Sequence, residues 1–283
     1  MDCCANCTGE TGNVNVTCGA ATTVTWDGST STAWNVASNW DKGIVPRTGD
    51  TVIIPDTATD PVFVANTTVE NLTIQTDGVL DIAGYDPTVT TTFSNDGYFR
   101  LQGDETLSGI TMDTDSGTIE YNGSGTYTAA GGGLVAGDTY NNLTFSGTGS
   151  WELDAALDVD GILLFSNASA TLDSNSQTIN VESDWTNVVG ATFDETGSTV
   201  IFDGGAPTVD VNTIETFNNL TINLSADEAN FTINSDGDTL QVDGTLTLTN
   251  GELAGTTAET MNAKGPISVA ATWDGSAGAN DPI

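Results

Sequence analysis

The chain has 283 residues, 39 of them acidic and four basic (Lys42, Arg47, Arg100, Lys264), with no histidine and a formal net charge of −35. Such a balance repels nucleic acid and anionic membranes, and no segment reaches the apolar length of a membrane span. Only 15% of residues are charged, so the polar surface is built from Thr, Ser, Asn and Gly, and the many β-branched residues favour strands over helices.

Residues 1–22 form a Cys-bearing leader. Cys3, Cys4, Cys7 and Cys18 all fall there. The start, MDCCANCTGE, lacks a basic region and an apolar run, so it does not read as a signal peptide. Either a leader has been removed or the chain is a piece of a longer one. An even, crowded cysteine set beside an acidic, Thr-rich body points to an oxidising exterior. Two local bridges fit: Cys3–Cys7 with Cys4–Cys18, or Cys3–Cys18 with Cys4–Cys7. One or more bridges to a neighbouring subunit fit as well. A zinc site is the weaker reading, because Cys4-x-x-Cys7 has no second pair of the right spacing and no histidine to complete it.

Residues 23–60 are a Trp-rich block carrying Trp26, Trp34 and Trp40 and the turn Pro46-Arg47-Thr48-Gly49-Asp50. Three Trp among Thr, Ser and Asn could offer stacking faces to sugars. They could equally cover the open end of an apolar stack, and a cap is the cheaper use of large aromatics in a soluble protein.

From 61 to 272 one pattern repeats. Short alternations such as Leu72/Ile74, Ile179/Val181, Val200/Phe202 and Leu246/Leu248 are separated by Gly, Asn, Asp and Ser. Period two between turn residues predicts half-buried strands throughout. The triplet Asn-Leu-Thr recurs at Asn71, Asn142 and Asn219, 71 and 77 residues apart. Three coils of roughly 20–29 residues would span such an interval. The prediction is an all-β parallel β-helix with three internal repeats and the triplet at one side of the stack. About ten coils at roughly 4.8 Å would make a rod on the order of 50 Å long. The alternative is a string of small β-sandwiches.

The stretch "WDGSTSTAWNVASNWDKGIVPRTGDTVIIP" at 26–55, followed by "VENLTIQTDGVLDIAG", resembles the opening of repeat units in large secreted bacterial and archaeal surface proteins. These have right-handed parallel β-helices of the haemagglutinin and autotransporter-adhesin type. It also partly resembles the G8 domain, through Trp40, Pro46, Gly49, Asp50, Val52 and Ile54. The resemblance is clearest over 26–84 and implies an extracellular structural or adhesive module. It carries no ligand site with it.

The tail, 273–283, echoes the first block: Thr25-Trp26-Asp27-Gly28-Ser29 returns as Thr272-Trp273-Asp274-Gly275-Ser276. Related ends suggest copies joined head to tail, since an open stack must cap or pair its bare strands.

Catalysis finds little support. Without histidine a nucleophilic triad is excluded unless Lys serves as base. Asp158 and Asp160 have the spacing of an inverting carboxylate pair, but Asp113/Asp115 and Asp236/Asp238 share it, so it is a habit of solvated strands. Calcium is the better use of Asp113, Asp115, Asp158 and Asp160, although no twelve-residue loop is complete. Asn-x-Ser/Thr acceptors occur at Asn6, Asn15, Asn66, Asn71, Asn122, Asn142, Asn167, Asn219, Asn223 and Asn230. The function expected is a non-enzymatic, extracellular, self-assembling subunit or repeat module of a cell-surface fibre, sheath or stalk. The alternative is a carbohydrate-binding adhesin.

Overall fold

The computed structural model describes residues 20–112, 114–187, 190–211, 213–234, 237, 239–254, 260–271 and 273. The four cysteines, Asn6, Asn15, Asp113, Asp236 and Asp238 lie outside the described residues.

Every ladder between named strands is parallel, and the strands stack into walls that run the length of the molecule. Wall one has nine strands, from Val79–Asp81 through Asn142–Phe145, Leu163–Phe165 and Trp185–Asn187 to Glu252–Ala254. Wall two has seven, from Thr139–Tyr140 through Leu157–Val159, Thr178–Val181 and Asn219–Asn223 to Ile267–Val269. Wall three comes in two pieces. Four strands run from Thr126–Tyr127 to Thr192–Asp194, and three from Ile214–Phe217 to Thr260–Ala263. A four-stranded sheet, Thr23–Thr25 to Pro87–Asn95, begins the winding. The chain visits the walls in turn, so this is a parallel β-solenoid of about ten coils. A coil takes 19 residues where Val79 pairs with Tyr98 and 28 where Thr23 pairs with Thr51. The sandwich alternative requires antiparallel sheets facing each other, which the parallel ladders rule out. No α-helix occurs among the described residues.

The alternation explains the interior. Odd and even residues of a strand point to opposite sides. In wall two Leu157, Ile179, Val200, Leu220 and Leu246 therefore stack inward rung upon rung, while Thr, Asn and Asp line the outside. In wall one Tyr121, Phe145 and Phe165 form an aromatic ladder with centroids 5.6 and 5.4 Å apart. Each such ring contributes roughly 1.5–3 kcal/mol by leaving water.

The recurring triplet does not mark one side of the stack. Asn71 lies in the first sheet, Asn142 in wall one and Asn219 in wall two. What Asn142 and Asn219 share is a corner. Asn142 donates from Nδ2 to the Gly117 carbonyl (3.0 Å) and accepts at Oδ1 from the Ile162 N–H (2.9 Å). Asn219 does the same with the Ser198 carbonyl (3.0 Å) and the Thr245 N–H (2.9 Å). Each thus ties its coil to the one before and the one after. The close approach sets the residue in the next coil: a Cβ on Gly161 would lie 2.4 Å from Asn142 Oδ1, and one on Gly244 2.6 Å from Asn219 Oδ1. Hence Asp160-Gly161 and Asp243-Gly244 follow the two Asn-Asn-Leu-Thr segments. Asn71 sits within a continuous strand and bonds the Thr51 hydroxyl instead.

Candidate functional site

The Trp-rich block forms the first coil. Thr23–Thr25 pairs with Thr51–Ile53, and Ala33 bridges to Val62. Trp26, Trp34 and Trp40 are 1%, 3% and 2% exposed. Trp34 meets Trp40 edge to face at 4.7 Å and Phe63 at 4.6 Å. Trp26 Nε1 donates to the Thr59 carbonyl and Trp40 Nε1 to the Trp34 carbonyl. A sugar-stacking platform needs a free ring face, and burial leaves these three none. Beneath them, the Thr25 N–H donates to Asp41 Oδ1 (2.9 Å) and the Asp41 N–H to the Thr25 carbonyl (3.0 Å). The free edge of the first strand is therefore engaged at Thr25.

Beside this coil runs a groove of about 590 Å³ lined by Trp34, Val45, Arg47, Val64, Asn66 and Thr68, among others. Arg47 pairs with Asp50 at 3.2 Å. Burial pushes the Asp50 carboxyl up, but hydrogen bonds from the Arg47 side chain and from the Thr22 and Arg47 N–H groups outweigh it and hold the group below its usual range.

Asp158 and Asp160 stand at the exit of wall two. Asp160, Glu182 and Asp203 occupy successive rungs there, their N–H groups donating to the carbonyls of Tyr140, Val159 and Val181. All three carboxyls are raised, by burial first and then by the neighbouring acids, Asp158 included. Asn180 Oδ1 and Asp203 Oδ1 are buried without a donor. Among the described residues no three His, Cys, Asp or Glu side chains are placed to hold a metal ion. Asp115 is exposed. The sequence pairs Asp158 and Asp160 thus join a column of mutually repelling acids.

Among the described residues no strand covers the last coil. Leu253 continues the inner column of Phe231, Met261 that of Leu240, and Ile267 and Val269 those of Leu246 and Leu248. Yet Ile267 is 58% and Val269 56% exposed. Trp273, in the echo of the first block, packs part-buried against the core.

Of the acceptor asparagines, Asn66, Asn223 and Asn230 are exposed, whereas Asn71, Asn122, Asn142, Asn167 and Asn219 are half-buried. Asn142, Asn167 and Asn219 use Nδ2 on backbone carbonyls of the preceding coil.

One pair was not singled out from the sequence: Asn187 and Glu215, both inside the stack. The signal was present in Ile214-Glu215-Thr216-Phe217, where alternation puts Glu215 on the same side as Phe217.

The class these features define is a parallel β-solenoid with buried aromatics in its first described coil and exposed apolar residues in its last. Residues 25–129 match the family model described as "Domain of unknown function (DUF8693)", which covers the first coils. No curated protein and no solved structure matches the chain.

Proposed function

We propose that the chain is a non-catalytic, extracellular structural rod: a self-assembling subunit or repeat module of a cell-surface fibre, sheath or stalk. The observation that carries this reading is the last described coil, where Leu253, Ile267 and Val269 are exposed and three strands have no further partner among the described residues. Apolar columns and unpaired edges of this kind bind another chain. The resemblance of residues 26–84 to haemagglutinin and autotransporter-adhesin repeats supports a place outside the cell. Head-to-tail addition would exchange the Asp41 contact at Thr25 for a ladder to a second copy. The test is electron microscopy with sedimentation over rising protein and salt concentration. Rods longer than one stack, joined at their ends, are expected; monodisperse particles under all conditions would end the proposal.

The second reading, a carbohydrate-binding adhesin, rests on the groove beside Trp34 rather than on the Trp rings. Its lining of amides, hydroxyls, apolar side chains and the Arg47 guanidinium carries no carboxylate, which favours binding over hydrolysis. A glycan array separates the two readings.

A further inference from the structure

Wall three is broken between Thr192–Asp194 and Ile214–Phe217, which share no ladder. At this break two polar side chains take inward positions. Asn187 stands on the rung after Phe165, where the aromatic ladder of wall one would continue. Glu215 heads an inner column followed by Leu240 and Met261. They meet across the interior. Asn187 Nδ2 donates to Glu215 Oε2 at 2.5 Å, and Trp185 Nε1 lies 3.4 Å from the same oxygen. Glu215 is 5% exposed and Asn187 8%.

The pair is unfinished as a carboxylate. Asn187 Oδ1 is buried with no donor. A carboxylate has no proton to offer it, whereas a carboxylic acid does. Neutral Glu215 has the proton with which a second bond to Asn187 can be made. Ionised Glu215 leaves a buried acceptor unsatisfied and a charge in the core, and both are costly.

The surroundings agree. Glu195, just past the strand Thr192–Asp194, is the acid whose field adds to the burial of Glu215. Asp184, Asp194 and Asp210 belong to the elements packed around it, and alternation turns them outward. The strand Thr239–Val242 brings Leu240 inward and Gln241 outward. The four basic side chains are engaged with Asp41, Asp50, Glu120 and Asp243, so no counter-ion replaces the proton.

We propose that Glu215 and Asn187 form a proton-held latch across the break in wall three: the neutral pair clamps the start of its second piece onto wall one, and loss of the proton loosens it. This stands apart from the self-assembly reading, because it concerns the interior and not the ends. Burial pushes Glu215 up to about 7, against the opposing hydrogen bonds from Asn187, Trp185 and the Thr216 N–H. Opening to water returns it to an ordinary Glu. The opening constant therefore rises with pH, by up to about tenfold per unit between about pH 5 and 7, and then levels off.

Hydrogen exchange with mass spectrometry on the full chain, corrected for the intrinsic pH dependence of exchange, reads this directly. Opening of peptides covering 208–217 should grow about 50-fold from pH 5 to 8, while peptides covering 142–165 stay level. Glu215→Gln keeps a hydrogen-bonding pair without a titratable proton and should flatten the profile. An infrared band of a protonated carboxyl, present in the native chain at pH 6 and missing in E215Q, should identify the proton. A flat native profile, an unchanged slope in E215Q, or no difference in the carboxyl band would overturn the latch.

Discussion

Replacing the three triplet asparagines one at a time separates a corner function from a mere sequence repeat. Asn142→Ala removes a bond to the Gly117 carbonyl and one from the Ile162 N–H, and Asn219→Ala removes the matching pair at Ser198 and Thr245. A side-chain hydrogen bond is worth about 1 kcal/mol net, and more where its partner is left unsatisfied. Each variant should therefore lose about 2–3 kcal/mol. Asn71→Ala loses one bond to an already half-exposed hydroxyl, so less than about 1 kcal/mol is expected. Urea unfolding with a common slope reads all three. The glycine opposite provides an internal control. Gly161→Ala drives a methyl into Asn142 Oδ1 and, less severely, towards the Asn141 carbonyl at 2.8 Å. In the double variant N142A/G161A the first clash is gone, so the combined loss should fall short of the sum by about 1 kcal/mol. Equal losses at Asn71, Asn142 and Asn219, or strict additivity in the double variant, would refute the claim that Asn142 and Asn219 each staple three coils together.

Replacing Ile267 and Val269 together by Asp should abolish concentration-dependent growth in sedimentation while leaving the unfolding midpoint of the monomer close to native, since both side chains are already more than half exposed. The chain carries a net charge of −35, so the unfolding midpoint should rise with ionic strength. Glu215→Gln should stabilise the fold at pH 8 by up to about 3 kcal/mol and do nothing at pH 4. The sign follows from a folded value of about 7 against an ordinary 4.5: stability is full below the ordinary value, falls as pH rises through the folded one, and stays low above it. If the source N-glycosylates, peptide mapping should find sugars at Asn66, Asn223 and Asn230 and not at Asn142, Asn167 or Asn219, where Nδ2 is committed between coils.

The winding was legible because it depends on two local facts, period two within strands and turn residues between them, and neither needs distant context. Leu246 and Leu248 face inward as their spacing from Thr247 implies. The Asn-Leu-Thr recurrence misled because two of its copies, at Asn142 and Asn219, carry a bond pattern between coils that the third, at Asn71, lacks, and a corner can fall between any two walls. Its true companion was the Gly one coil later, a correlation across 19 residues at Gly161 and 25 at Gly244, which no local window captures. Glu215 escaped for a related reason. Alternation placed it inside, but a lone inward acid looks like an error until the amide that receives it appears, and Asn187 lies 28 residues earlier on another wall. The exposure of Ile267 and Val269 was illegible altogether, since their pattern is that of buried Leu246 and Leu248 one coil before. In a solenoid each coil is covered only by its neighbours. The same apolar residue is therefore core in the middle of the stack and exposed in its last described coil, and position along the stack, not residue type, decides which.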